Sequence, residues 1–166
     1  MSHGAERDPE PALRALVEPV DVSHADARYL MGSLDDYLSS LYLPEDNFLE
    51  LPAEDVRDGR GLFLVAYGPD RRALGCGAIR ALDDYTGEIK RMWVEPGARG
   101  NGVATAILGE LTKWARSRGL ARLVLESGAA QPEALSLYAR EGFTEIPRFG
   151  PYACAPNSIC LAKRLA

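Results

Sequence analysis

The stretch from 87 to 127 constrains the fold more than any other part of the chain. "GEIKRMWVE" (87–95) is a short run of strand-forming residues, and "ARLVLES" (121–127) is another. Between them, residues 101–118 place Val103, Ile107, Leu108, Leu111, Trp114 and Ala115 on one helical stripe, and Gly119 follows as a stop signal. Two strands joined through a helix of this length are most simply parallel neighbours with a right-handed crossover.

The flanking segments extend this unit into a mixed sheet. "LRALVEP" (13–19) reads as a first strand. A helix over 23–43 follows, capped by Ser23, with Ala27, Leu30, Met31, Leu34, Leu38 and Leu41 on one face. Residues 44–52 read as loop and "AEDVRDGR" as a short helical turn. The runs 61–68, 73–83 and 87–95, separated by turn-like "PDRR" and "DDYTG", predict three consecutive antiparallel strands. In "QPEALSLYAREGF" (131–143) Pro132 suits the first helical position and Gly142 the left-handed position after the last turn, so that Phe143 folds back onto Leu137 or Tyr138. "FTEIPRFG" and "SICLAKRL" predict two final strands. The sum is an α/β protein with a single domain over 12–166: a mixed, mostly antiparallel sheet with helices on both faces. Residues 1–11, polar and with two prolines, read as a tail.

Composition narrows the function classes. A length of 166 residues suits one domain, and a net charge of −5 argues against a nucleic-acid partner while remaining compatible with cationic substrates such as amines. Cys76, Cys154 and Cys160 lack CxxC spacing, so neither a disulfide framework nor a metal site is expected, and a reducing cytoplasm is the default location. Cys76 lies in an apolar strand, where an inert core thiol is expected. The N-terminal residues lack the apolar core of a signal peptide, and no stretch is long enough to span a membrane.

"VEPGARGNGVAT" (94–105) then asks what three glycines hold at the mouth of the 101–118 helix. The first amides of a helix have no internal partners and carry partial positive charge, and glycines let the main chain approach a ligand closely. "RGNG" is thus an anion cradle with Arg99 as a forked donor, better suited to a diphosphate than to a carboxylate. Two other readings stay open at this level. The glycines can merely shape a turn, or, with Glu126 closing the next strand, they can imitate a dinucleotide fingerprint, although the third small residue is misplaced. A P-loop is excluded because no Gly-Lys-Ser/Thr follows.

"MWVEPGARGNGVA" resembles the cofactor motif of the GNAT superfamily of N-acetyltransferases, which use acetyl-coenzyme A. The motif is met by Arg99, Gly102 and Ala104, with Gly100 as a helper, after a strand ending in Val94 and followed by Pro96. A second motif of the family, Asn-x-x-Ala-x-x-x-Tyr followed by Gly-Phe, is similar to Gln131, Ala134, Tyr138, Gly142 and Phe143, with glutamine in place of asparagine. The resemblance covers about 61–165 and points to a bacterial subgroup of small acetyltransferases. It implies that the strands at 87–95 and 121–127 splay to admit acetyl-coenzyme A. The pantetheine arm would pair along Met92, Trp93 and Val94, and the pyrophosphate would rest on the amides of Gly100, Asn101, Gly102, Val103, Ala104 and Thr105. It also leaves room for a homodimer.

The chemistry asks for a neutral amine and a proton for the departing thiolate. A lysine-like amine costs about 4–5 kcal/mol to neutralise at pH 7. His3 lies in the tail and His24 reads as a surface residue, so Glu88 and Glu126, flanking the expected cleft, are the candidate bases. Their alternatives are an ion pair of Glu88 with Lys90 or Arg91 and a capping role for Glu126. Tyr138 matches the family's tyrosine, implied as the general acid, though packing beneath Phe143 is its bland alternative. The main-chain N–H near Met92 is the expected donor to the thioester carbonyl, and Tyr152 and Ser158 are expected to face the acceptor. The expected activity is direct acetyl transfer to a primary amine of a small molecule; a protein lysine or N-terminus, or a non-catalytic acyl-coenzyme A-binding module, is the alternative.

Overall fold

Turn chemistry sets the first half of the sheet. In the computed structural model, which describes residues 14–165, β1 (Leu16–Pro19), β2 (Gly61–Tyr67), β3 (Ala73–Ala81) and β4 (Thr86–Val94) pair antiparallel in chain order. Asp83 closes the β3–β4 turn by accepting from the amides of Tyr85 and Thr86, both at 2.8 Å. This is the local side-chain-to-backbone bonding that makes Asp a turn residue. β5 (Arg122–Gly128) then pairs parallel to β4, as the strand–helix–strand order requires. β7 (Ser158–Arg164) inserts antiparallel between β5 and the short β6 (Thr144–Ile146), giving the order β1-β2-β3-β4-β5-β7-β6.

Both faces are covered. α1 (Ala25–Leu41) buries Ala27, Leu30, Leu34 and Leu38 against Phe63, Val65, Cys76, Ala78 and Trp93. α2 (Val103–Ser117) buries Val103, Ile107, Leu108, Leu111 and Ala115 on the other face against Leu64, Ile79, Ile89, Leu123 and Leu125. Tyr138 of α3 (Pro132–Arg140) and Phe143 join that layer. The alternation Phe63/Leu64/Val65/Ala66 therefore feeds two cores, which is why β2 reads as a continuous apolar run. Each fully buried Leu, Ile or Phe contributes about 1.5–3 kcal/mol relative to exposure. At the end of α3 Gly142 takes φ 91°, and the Phe143 amide returns to the Tyr138 carbonyl at 2.9 Å, as the Gly-Phe pair predicts.

Two expectations change. Ser23 does not cap α1; its hydroxyl and amide both donate to Asp21, and His24 Nδ1 accepts from the Asp26 amide at 3.0 Å instead. The strand expected over 143–150 shrinks to β6, because Pro147 has no amide to continue a ladder. The tail expected at 1–11 lies outside the described residues. No helix among the described residues is long and apolar enough to cross a membrane.

Candidate active site

The parallel ladder between β4 and β5 runs from Thr86↔Arg122 to Ile89↔Leu125 and then stops. On the other side of β4 the register with β3 passes from Ala78↔Lys90 to Cys76↔Trp93, so Arg91 and Met92 together oppose Gly77 alone. This is a β-bulge, and Arg91 carries its backbone strain at φ 59°. A non-glycine residue there costs of order 1–3 kcal/mol. A bulge bends its strand, and here the bend coincides with the separation of β4 from β5. Gly77 is needed opposite it, since a Cβ would run into Met92 Sδ and come within 2.7 Å of Ile107 Cγ2.

Two cavities open along the separation, and they meet. The larger, about 410 Å³, is lined by Met92, Trp93 and Val94 of β4, by Arg99, Gly100 and Gly102 of the loop, and by the first turn of α2 from Val103 to Thr105. Gln131, Ala134 and Tyr138 of α3 complete the opposite wall. The smaller, about 100 Å³, is walled by α1, the 46–49 loop, Lys90, Arg91, Glu126 and Tyr152. Met92, Gln131, Ala134 and Tyr138 belong to both.

The larger cavity is a main-chain construction. Gly100 and Gly102 both sit at positive φ, 79° and 76°, with nothing within 4 Å of a would-be Cβ. The first intrahelical bond runs from the Ala106 amide to the Gly102 carbonyl at 3.0 Å. The amides of Val103, Ala104 and Thr105 lie ahead of it, and no side chain of the described residues caps them. Such an array suits a phosphorylated ligand. Of the thirteen residues expected on the cofactor side, only Asn101 is missing from the lining. Its side-chain amide instead donates to the Ala98 and Arg99 carbonyls, shaping the loop from within. Arg99 bonds through Nε to the Val94 carbonyl at 3.1 Å and lies over the Trp93 ring at 4.9 Å. Arg140, which the sequence did not single out, adds a second cation on the opposite, α3 wall.

The smaller cavity is built from side chains. Glu126 accepts from the Ser158 hydroxyl at 2.9 Å, and burial raises its pKa above the usual carboxylate range despite that bond and nearby Lys90. Burial also pushes the Tyr138 phenol up, with Glu126 adding to the effect, so the ring stays protonated at neutral pH. Tyr138 packs edge-on against Phe143 at 5.7 Å. Glu88, 1% exposed, is outside the lining of either cavity. It pairs not with Lys90 or Arg91 but with Arg80 Nε at 2.8 Å, and it accepts from the Tyr152 hydroxyl at 2.9 Å. Arg80 is shared with Asp55 at 2.8 Å. Tyr152 is in turn flanked edge-on by Phe48 and Phe149. Sequence reasoning expects the acceptor pocket to draw on the first helix and the 44–52 loop, which supply Tyr42 and Phe48 without having been singled out as residues, and it missed Lys90 and Arg91 as lining residues. Regular alternation sends these two adjacent side chains to opposite faces of β4, so only the bulge lets both line one cavity. Cys76 is an inert core thiol, pushed up to about 12 by burial.

This arrangement has room for an extended phosphorylated ligand on one side and a small polar one on the other, with a phenol and a carboxyl at the junction. Known proteins resemble the chain in sequence and fold. A relative from Azospirillum brasilense named IAA acetyltransferase is 40% identical over 145 residues, covering 82% of this chain and 88% of its own length. A crystal structure from Klebsiella pneumoniae described as an acyl-CoA N-acyltransferase superposes with a TM-score of 0.79 at 29% identity, covering 92% of this chain and 98% of that one. A GNAT family acetyltransferase from Elizabethkingia anophelis with acetyl-CoA bound shares the fold at TM-score 0.64 and 18% identity, over 91% of this chain and 98% of that one. Residues 28–143, from α1 to the turn that ends α3, match the acetyltransferase (GNAT) family, and the chain belongs to that family of N-acetyltransferases.

Proposed function

We propose that the protein transfers the acetyl group of acetyl-coenzyme A directly to a primary amine of a small molecule. The observation that carries this reading is the junction: the two cavities meet at Met92 and Tyr138, with Glu126 on the smaller side. The diphosphate rests on the amides ahead of Ala106, and the pantetheine arm runs along the β4 edge that β5 leaves unpaired. The thioester then lies at the junction. A cavity of about 100 Å³ takes an amine of a few carbons.

Each catalytic task has a candidate group. Glu126, lining the acceptor cavity and raised by burial, takes the proton of the incoming ammonium. The neutral amine attacks the thioester carbonyl, whose developing charge is met by a main-chain N–H of the Met92 bulge. The C–S bond breaks as Tyr138 donates its proton to the departing thiolate, and the acylated nitrogen gives up its surplus proton, which restores the Tyr138 phenol and leaves a neutral amide. Glu88 acts at one remove, fixing the Tyr152 hydroxyl, because it lines neither cavity and its two oxygens are engaged by Arg80 and Tyr152.

The test is coenzyme A release with a library of primary amines, in the wild type and in Tyr138→Phe. The expected result is turnover lowered about tenfold to a hundredfold in the variant with acetyl-coenzyme A affinity nearly intact. Equal losses of turnover and affinity would reduce Tyr138 to packing.

A further inference from the structure

The acceptor cavity is two-signed. Past the last parallel pair, Ile89↔Leu125, the next residue of each strand is charged: Lys90 on β4 and Glu126 on β5, both lining the cavity. They do not pair with each other, for no ion pair of Lys90 occurs among the described residues. The polar contact of Lys90 is a long one, Nζ to the Tyr152 hydroxyl at 3.5 Å. That hydroxyl donates to Glu88, whose other oxygen is held by the Arg80 that Asp55 shares, so Lys90 reaches this acid only through the Tyr152 hydroxyl. Burial lowers the Lys90 pKa, with Arg80 and Arg91 adding to the effect and Glu88 and Glu126 opposing it.

Arg91 stands beside it because of the bulge. Strand alternation would turn Arg91 toward α2, the face that Ile89 and Met92 share. At φ 59° it joins Lys90 on the α1 face, where one guanidinium nitrogen donates to Asp35 while its Nε is buried without a partner among the described residues. The strained residue thus sets two successive cations along one wall of the cavity, opposite Glu126, with Asp46 at the loop side.

We infer that the acceptor carries a carboxylate as well as its amine, and that Lys90 and Arg91 hold that carboxylate while the amine faces Glu126. The orientation of the amine rests on the acetyltransferase reading; the anion site does not. An amino acid or a similar short amino carboxylate has the required two ends.

The test compares L-amino acids with their carboxamides as acceptors, in the wild type, Lys90→Gln and Lys90→Arg. The carboxamides have the less basic amines, so a preference for the acids has to come from binding. The expected result is kcat/KM higher for the acids by about tenfold to a hundredfold, the range of one charge-assisted hydrogen bond. Lys90→Gln brings the acid-to-amide ratio close to one through the KM of the acids, and Lys90→Arg restores most of it. A wild type that treats the two alike, or a Lys90→Gln variant that leaves the ratio unchanged, overturns the inference. A binding arm uses unreactive probes, N-acetyl-L-alanine and its carboxamide, on the protein loaded with coenzyme A. Thermal stabilisation by the acid alone, lost in Lys90→Gln and regained in Lys90→Arg, upholds the anion site even if no amine releases coenzyme A, an outcome that would count against the transfer reading instead. Equal stabilisation by both probes overturns it.

Discussion

The two sides of the cleft are built from different materials. Opposite its α3 wall, the cofactor side is main chain: a β4 edge, two left-handed glycines and the open amides of α2, all within residues 92–105. The acceptor side is side chain: Tyr42, Phe48, Lys90, Arg91, Glu126 and Tyr152, drawn from five separate segments. A main-chain site is specified by a few positions where a side chain must be absent. It can therefore stay constant while the side-chain site opposite it varies. The difference predicts that the two sides fail separately when mutated.

The largest separation is expected from Gly102→Val. The space around Gly102 is open, so the fold loses only the cost of a left-handed β-branched residue, about 1–2 kcal/mol. The ligand loses more, since a side chain now projects from the N-cap beside the amides. Calorimetry should show acetyl-coenzyme A affinity reduced by at least about a hundredfold, equivalent to two charge-assisted hydrogen bonds. Affinity within tenfold of wild type would mean that the main chain is not what holds the diphosphate.

Glu126→Gln should do the reverse, lowering kcat/KM for an alkylamine by about a hundredfold while acetyl-coenzyme A affinity stays within about twofold. Its pH dependence follows from the raised pKa. Activity requires the carboxylate, so the acid limb of the wild-type profile lies above the ordinary carboxylate range and is absent from the residual rate of the variant. Stability moves oppositely. The folded protein keeps the Glu126 proton to higher pH than the unfolded chain does, so this group's contribution is present below the unfolded pKa and lost as pH rises through the folded one. Urea titrations should therefore find the glutamine variant gaining on the wild type from pH 4 to pH 8, and no gain across that range would contradict the buried carboxyl.

Gly128→Ala probes the acceptor wall without touching a charge. A Cβ at Gly128 would overlap the Tyr42 hydroxyl, which accepts from the Ala130 amide at 3.0 Å and ties the end of α1 to the end of β5. Displacing that ring should cost about 1–3 kcal/mol in stability. It should raise the acceptor KM several-fold and leave cofactor affinity alone. A parallel rise in the coenzyme A dissociation constant would join the two sides that the structure separates.

The same contrast decides what the sequence made legible. Helix punctuation is local, so Pro132, Gly142 and Gly119 marked α2 and α3, and the parallel β4–β5 pair followed from chain order. Glycine spacing exposed the cofactor loop, because left-handed positions select residue type directly. The acceptor side depends on contacts across 62 and 64 positions, Lys90 to Tyr152 and Tyr152 to Glu88, which no local pattern encodes. The partner of Glu88 was hidden for the same reason: Arg80 lies opposite it on β3, and only the β3–β4 register brings them together. The bulge stood between the two cases. Its residues are adjacent in sequence, but the need for Gly77 opposite Met92 is a cross-strand fact.

Arg99 is where a side chain enters the main-chain site, so it offers the finest measurement of the difference. Its position in the cofactor motif would make it a phosphate donor, yet its Nε is bonded to the Val94 carbonyl and its guanidinium lies over Trp93 at 4.9 Å and Tyr37 at 5.9 Å. It is also exposed, where solvent and salt screen its charge. Arg99→Ala should therefore weaken acetyl-coenzyme A binding by less than about tenfold, flatten the salt dependence of that binding and alter the fluorescence of Trp93. Arg99→Lys should not recover the fluorescence, because an ammonium reproduces neither the planar stacking nor the Nε bond, but it should recover the salt dependence, which needs only the charge. A loss from Arg99→Ala as large as that from Gly102→Val would place the diphosphate on a side chain after all, and the cofactor side would then be no more a main-chain construction than the acceptor pocket across from it.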